Sequence, residues 1–371
     1  MSSCDFIKLA MPGVQQLHPY QPGKPIDELQ RELGLEQVIK LASNENPLGP
    51  SPKALSIIRQ NLDELALYPD GNGFILKQAL TNKFSIPGEQ ITLGNGSNDI
   101  LAMVAQAYAG PGCEIIFSEH AFAVYPIVTQ AVGATAVVTK AKDWGHDLEA
   151  MAAAVTDRTR IIFLANPNNP TGTHFDAASL EAFLNAVPAN VIIVLDEAYF
   201  EFARFLAKED YPDGQQFLDR FPNLIVSRTF SKAYGLAGLR VGYAFANSKM
   251  TNVLNRVRQP FNVNSLALVG AEAALGDLEH LQQSLELNAT GLQQYQAAFS
   301  EMGLSWIPSI GNFISVDVGE GADHVYDALL HQGVIVRPVA NYAMPSYLRF
   351  SVGLEQENTT AITVLQNVLN K

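Results

Sequence analysis

Cysteine is nearly absent from this chain of 371 residues, which has only Cys4 and Cys113. Two such thiols supply neither a disulfide framework nor a cysteine-based zinc site, and they fit a reducing compartment, the cytosol. Positive charge is also scarce. Lysine and arginine number 24 against 37 aspartates and glutamates, a formal net charge of −13. Nucleic acid and anionic membranes are bound through excess positive charge, so neither is expected as a partner. An anionic small molecule remains compatible, provided a few arginines gather in one pocket. No apolar run reaches membrane-spanning length, and Met1-Ser-Ser-Cys-Asp-Phe6 has no basic segment leading into an apolar one. Membrane insertion and secretion are therefore not expected. The seven histidines show no metal-ligand spacing, so no metal is expected. There is no internal repeat and no low-complexity tract. With 47% hydrophobic and 16% charged residues, the chain is expected to fold into about two globular domains.

Short apolar runs alternate with amphipathic stretches between residues 90 and 250. The runs at 91–93, 114–117, 134–138, 160–165, 191–195, 223–227 and 241–245 read as strands. Several are continuous Val/Ile/Leu segments, as in strands buried on both faces of a mainly parallel sheet. Helical faces appear between them, for example Ile100, Leu101, Val104, Ala105 and Tyr108, and again Leu180, Phe183 and Leu184. This alternation predicts an α/β domain with helices on both sides of a sheet. After about residue 260 the pattern changes. Helices are expected over 265–275, 277–302, 323–331 and 355–370, and strands at 313–318, 334–336 and 348–352, an α+β unit. The first 50 residues carry much punctuation, as in His18-Pro-Tyr-Gln-Pro-Gly-Lys-Pro25, and read as an extended arm. The expected division is an arm over 1–50, a large domain over 51–260 and a small domain over 261–371.

Polar, Gly-rich segments directly follow four of these strands: Gly94-Asn-Gly-Ser-Asn-Asp99, Asn166-Pro-Asn-Asn-Pro-Thr-Gly172, Asp196-Glu-Ala-Tyr199 and Thr229-Phe-Ser-Lys232. Open α/β sheets bind ligands at the carboxyl ends of their strands, so the four segments converge on one crevice. The first offers free N–H groups at a helix N-terminus, a ready phosphate site, although Ser97 or Asn98 could equally be a helix cap. Asp99 stands where a dinucleotide fingerprint needs its third glycine. Asp196 puts a carboxylate at the mouth of the sheet. A nucleotide hydrolase is excluded because the one Gly-Lys pair, Gly23-Lys24, is followed by Pro25. Lys232 lies among hydroxyls, glycines and Arg240. A lysine desolvated beside other cations has a lowered pKa and becomes a usable amine nucleophile, whereas an ordinary lysine at this place would be a solvated surface residue. A Schiff-base lysine, a carboxylate for a pyridine nitrogen and a phosphate cradle are the parts that pyridoxal 5'-phosphate requires.

Thr229-Phe-Ser-Lys232 with Arg240, Asn166–Gly172, Asp196-Glu-Ala-Tyr199 and Arg349 together resemble the fold type I pyridoxal-phosphate-dependent aminotransferases, in order and over essentially the whole chain. The resemblance implies a large domain with a seven-stranded mainly parallel sheet, a smaller α+β domain, and a homodimer with shared active sites. It makes Lys232 the Schiff-base lysine and proton-transfer base, and Asp196 the partner of the pyridine N–H. Asn169 and Tyr199 would bond the cofactor's 3'-oxygen. Phe122 occupies the ring-stacking place, where the family often has tyrosine. Gly96, Ser97, Asn98, Thr229, Ser231 and Arg240 would hold the phosphate, with Tyr68 added from the neighbouring subunit. Tyr20 with Pro22-Gly-Lys-Pro25, Leu41-Ala-Ser-Asn44-Glu-Asn-Pro-Leu-Gly49, Tyr68-Pro-Asp-Gly71 and Asn312-Phe313 are similar to the branch that exchanges an amino group between histidinol phosphate and 2-oxoglutarate. The implied substrate contacts are Tyr20, Asn44, Asn169, Asn312, Arg337 and Arg349, the last gripping either glutamate's carboxylate or the phosphate. Phenylalanine or tyrosine transamination is the nearest rival reading. A decarboxylase of similar fold and a non-catalytic cofactor-binding regulator are more distant ones.

Overall fold

The structure, a computed structural model, describes residues 4–20 and 23–370. Residues 1–3 of the amino-terminal segment considered above, and Pro22 of Pro22-Gly-Lys-Pro25, lie outside the described residues. All seven expected strands form and join in one sheet. In chain order they are β1 (Ile91–Gly94), β2 (Glu114–Ser118), β3 (Thr135–Thr139), β4 (Thr159–Ala165), β5 (Ile192–Asp196), β6 (Leu224–Thr229) and β7 (Gly242–Ala246). Their spatial order is β1-β7-β6-β5-β4-β2-β3. β7 runs antiparallel to both of its neighbours, and the other pairings are parallel. The carboxyl ends of β1, β2, β4, β5 and β6 therefore share one edge of the sheet.

Side chains of successive strand residues point to opposite faces, and here both faces are covered. Ile116, Ile162, Leu164, Ile193 and Leu195 enter one apolar cluster, while Ile115, Phe117, Ile161, Phe163 and Val194 enter another. That two-sided burial is why these strands are continuous apolar runs. β3, at the edge, departs from this pattern and leaves Thr135, Ala136 and Val138 exposed. A second, antiparallel sheet has the order β8-β9-β11-β10, with β8 (Trp306–Ile307), β9 (Phe313–Asp317), β10 (Arg337–Pro338) and β11 (Tyr347–Ser351). Its core includes Phe299, Val316, Leu329, Phe350 and Leu365.

Two sequence expectations change. The helix Ser265–Leu275 was grouped with the small domain, but its Ala267, Leu268, Ala271 and Leu275 pack into the core of the large sheet, against the helices Pro52–Gln60 and Phe74–Phe84. We therefore draw the division at the start of the long helix Leu278–Glu301. The arm, read as extended, contains the helices Phe6–Leu9, Pro12–Gln15 and Ile26–Leu33. The last has Asp27 and Glu28 in its first turn and ends at Gly34 with φ +66°, a left-handed cap. Only Leu29 is buried from it, so the short apolar face at 26, 29 and 33 is easily passed over. The arm then adds Ile39–Lys40 as a parallel strand beside Val334–Ile335 of the small domain.

An ion network whose Arg228 and Glu197 are fully buried ties β6 to the segment after β5. Arg228 Nε donates to Glu197 Oε2 at 2.9 Å and Nη2 to Asp213 Oδ1 at 2.6 Å, while the guanidinium lies 3.3 Å over the Phe200 ring. Glu197 Oε1 accepts the Gly214 N–H at 2.9 Å. Burial pushes the Glu197 carboxyl up to about 7, and the guanidinium opposes that rise. Removing one partner of such a pair leaves an uncompensated buried charge. Arg228→Ala is therefore expected to lower stability by about 3–5 kcal/mol, measured by urea unfolding.

Candidate active site

The strand ends enclose a cavity of about 200 Å³ between the large sheet, the arm and the small domain. At one end the helix Ser97–Tyr108 begins with Gly96 at its N-cap, and no side chain caps it. Ser97 and Asn98 are thus not caps, and both residues line the cavity at a helix end whose first N–H groups lack intrahelical partners. Gly96 has φ +81°, and a Cβ there would stand 2.5 Å from Arg240 Nη2. Only glycine lets that guanidinium close on the helix end. Arg240 Nη1 donates to Ser231 Oγ at 3.3 Å, and Thr229 Oγ1 accepts the Ser231 N–H at 3.1 Å. Backbone N–H groups, two hydroxyls and a guanidinium make a donor set suited to a phosphate.

Asp196, 5% exposed, ends β5 beneath the middle of the cavity. Its Oδ2 accepts from the Tyr125 hydroxyl at 2.9 Å and its Oδ1 from Ser227 Oγ at 3.1 Å. Burial raises its pKa, and these two donors work against the rise. Tyr199 sits edge-on to Phe313, and its oxygen accepts from Asn44 Nδ2 at 2.9 Å. Burial pushes the Tyr199 phenol up to about 12, so it keeps its proton and can donate it. Phe122 lines the cavity and meets Tyr125 edge to face at 6.0 Å. Half-buried Lys232 donates from Nζ to the Ser43 carbonyl at 2.9 Å. Burial first, and then the charge of Arg349, lower its pKa to about 7.

On the small-domain side, Arg349 is 5% exposed. It donates from Nη1 to Asn169 Oδ1 and from Nη2 to the Ala42 carbonyl at 2.6 Å, and its Nε has no partner among the described residues. Arg337 stands opposite Arg349 in the register of β10 and β11 and lines the same cavity, with Tyr20 of the arm at 5.8 Å from its guanidinium. Like charges directly opposite each other repel, so this pairing favours an anion between them.

Of the sequence candidates, the structure brings all but Gly96, Tyr68 and Asn312 to the cavity wall. Gly96 acts from behind, through Arg240. Tyr68 is 83% exposed and stacks on Phe261 at 4.7 Å, outside the cavity of its own chain. Asn312 gives its amide to the Asn44 carbonyl at 3.0 Å. Asn44 itself, at φ +55°, is spent between Tyr199 and Ser351, whose hydroxyl donates to Asn44 Oδ1 at 2.8 Å. Both asparagines, expected on the substrate, also brace the site: Asn44 lines the cavity, and Asn312 keeps its Oδ1 without a partner among the described residues. Tyr125 and Ser227 do not stand out as site residues in the sequence. A signal existed for Ser227: three polar residues, Ser227, Arg228 and Thr229, end a strand that is buried throughout.

The donor sets at the two ends of the cavity, with a buried carboxylate and a near-neutral lysine between them, fit pyridoxal phosphate. The family model "Aminotransferase class I and II" matches residues 36–365, and the chain belongs to that family. It is a pyridoxal-phosphate-dependent aminotransferase of fold type I. Among relatives, it is 62% identical over 369 residues to "Histidinol-phosphate aminotransferase 2" of Pseudomonas fluorescens (strain Pf0-1), with 99% of each chain covered. It is 61% identical over 367 residues to the protein of that name from Pseudomonas aeruginosa, covering 98% of this chain and 99% of the relative. Among solved structures, histidinol-phosphate aminotransferase from Sinorhizobium meliloti in complex with pyridoxal-5'-phosphate superposes with a TM-score of 0.89 at 29% identity, 97% of each chain being covered. No helix of the described residues is long and apolar enough to cross a membrane.

An amine titrating near 7 predicts a measurable reactivity. In the cofactor-free protein, modification of Lys232 by a small aldehyde with borohydride, followed by peptide mass spectrometry, is expected to rise with a midpoint near pH 7. An ordinary lysine titrates near 10.4.

Proposed function

We propose that the chain transfers an amino group between histidinol phosphate and 2-oxoglutarate, giving imidazole acetol phosphate and glutamate, as a cytoplasmic homodimer. The observation that carries this reading is the pair Arg337 and Arg349, facing each other across two strands of one cavity wall. One site of that kind receives the carboxylate of glutamate in one half-reaction and the phosphate of histidinol phosphate in the other. The names of the relatives support it over the aromatic amino-acid alternative, and the presence of both Lys232 and Asp196 speaks against a non-catalytic regulator.

When bound, pyridoxal phosphate supplies an aldehyde that carries the amino group and a ring that accepts the electrons released at the substrate's Cα. The residues around it have separable tasks. Gly96, Ser97, Asn98, Thr229, Ser231 and Arg240 hold the phosphate. Phe122 would stack on the ring, and Asp196 would face its nitrogen. The Tyr199 hydroxyl and the Asn169 amide would donate to the 3'-oxygen, Asn169 having its carbonyl oxygen engaged by Arg349. Lys232 Nζ would hold the aldehyde end of the cofactor, and its amine would take and return the proton at the substrate's Cα. A pKa near neutrality suits an amine that must both accept and return a proton. Tyr20 and the arm shield this chemistry from water.

Tyr68 cannot serve its own cavity from where it stands. Exposed Leu65, Leu67, Phe74 and Ile75 accompany it. We propose that a second copy covers this apolar surface and receives Tyr68 into its phosphate cradle.

Two experiments test the assignment. In a spectral titration of the cofactor-loaded protein, histidinol phosphate is expected to convert the cofactor to its amine form at far lower concentration than phenylalanine. The reverse order sinks the histidinol-phosphate reading and moves the enzyme to aromatic transamination. Arg337→Gln is expected to raise KM for histidinol phosphate by about 10- to 100-fold, the worth of hydrogen bonds to a charged group, and KM for glutamate by less. The dianionic phosphate draws on both guanidiniums more strongly than a carboxylate does.

A further inference from the structure

Tyr125 has no part in the roles assigned above, yet it is wholly buried and its hydroxyl reaches Asp196 Oδ2 at 2.9 Å. It lies near the start of the helix Val124–Ala131, three residues after Phe122. Its ring stacks in parallel on Phe163 of β4, 4.8 Å away at 9°, and it meets the Phe122 ring edge to face. Those two contacts, with the helix, allow the hydroxyl little freedom to leave the carboxylate. Burial and the neighbouring carboxylate hold the phenol well above its usual range, so it stays protonated and acts only as a donor toward Asp196.

We propose that Tyr125 is a positioning residue that fixes where the proton between Asp196 and the cofactor's ring nitrogen resides. The inference rests on the placement of that nitrogen at Asp196. The shared proton has two resting places: on nitrogen, leaving a carboxylate facing a pyridinium, or on Asp196, leaving two neutral groups. Total protons and charge are the same in both. A low-dielectric site by itself favours the neutral pair, because it disfavours separated charges. Hydrogen bonds donated to the carboxylate stabilise the charged pair. Tyr125 supplies one on Oδ2, and Ser227 supplies another on Oδ1. Without the phenol the proton moves toward Asp196, and the ring loses the positive charge that makes it a strong electron acceptor.

The test is the 15N resonance of the ring nitrogen, recorded for protein loaded with ring-labelled pyridoxal phosphate. In Tyr125→Phe, which keeps both ring contacts, the resonance is expected to shift toward that of unprotonated pyridine. The same variant is expected to show about a tenfold lower kcat with KM little changed, the worth of one hydrogen bond to a charged group. Tyr125→Phe retaining the parent resonance, with or without a change in thermal midpoint, overturns the proposal and leaves Tyr125 a packing residue. Asp196→Asn separates the two layers of the argument. If that variant leaves the resonance unmoved, the ring nitrogen does not lie at Asp196. If it moves the resonance and Tyr125→Phe does not, the placement stands and the role of Tyr125 fails.

Discussion

Asp196 is an acid buried almost completely at the end of a strand, and two hydroxyl donors oppose the rise that burial imposes on its pKa. Burial alone would neutralise such a group. It is countered by two hydroxyl donors, Tyr125 from the helix after β2 and Ser227 from β6. The next residue, Glu197, meets the fully buried Arg228 of that same strand, so the chain on either side of the carboxylate is fixed to β6. Since Thr229 directly follows Arg228, the geometry that sets the carboxylate also sets one end of the phosphate cradle. Acid and cradle are held in register by one strand pairing, β5 with β6.

A second constraint links binding to chemistry. The chain is strongly acidic overall, yet Arg240, Arg337 and Arg349 all line one cavity of about 200 Å³. Their charges attract anionic substrates. The two nearest in effect, Arg349 and Arg240, also disfavour a proton on Lys232, adding to the effect of burial. The same cations therefore prepare an anion site and keep the lysine usable as a base near neutral pH. The repulsion among these groups has to be offset by the fold. Arg349 is steadied by Asn169 and the Ala42 carbonyl, and Arg240 by Ser231 and the Ala237 carbonyl.

The arm joins the two halves of the site. Asn44 binds Tyr199 of the large domain through its amide and Ser351 of the small domain through its carbonyl, and Asn312 holds the Asn44 backbone. A motif that reads as substrate-binding in sequence thus also braces the two domains. Sequence alone does not separate these roles, since an asparagine amide serves either purpose and only its occupied partners decide. The helix Ser265–Leu275, which reads with the small domain but packs on the large one, poses a similar difficulty. Its apolar periodicity was plain, but nothing local states which core receives it.

The order of strands, their burial on both faces and the placing of polar segments at their carboxyl ends were legible in the sequence, because side-chain periodicity and glycine punctuation are local properties of the chain. From the same segments came Lys232 and Asp196, with Arg240 shortly after, since each lies in a motif whose chemistry is local, while Arg349 came from the family resemblance. Tyr125 was not legible: an aromatic residue on a helix looks like core until the tertiary structure carries its hydroxyl 71 residues along the chain to a carboxylate. Nor was the facing of Arg337 with Arg349, which depends on a strand register. The sequence by itself determined which chemical groups are present and that most of them stand at strand ends. Only tertiary structure decided which donor meets which acceptor, because those pairings form between segments distant in the chain and depend on distances and burial that no local pattern encodes.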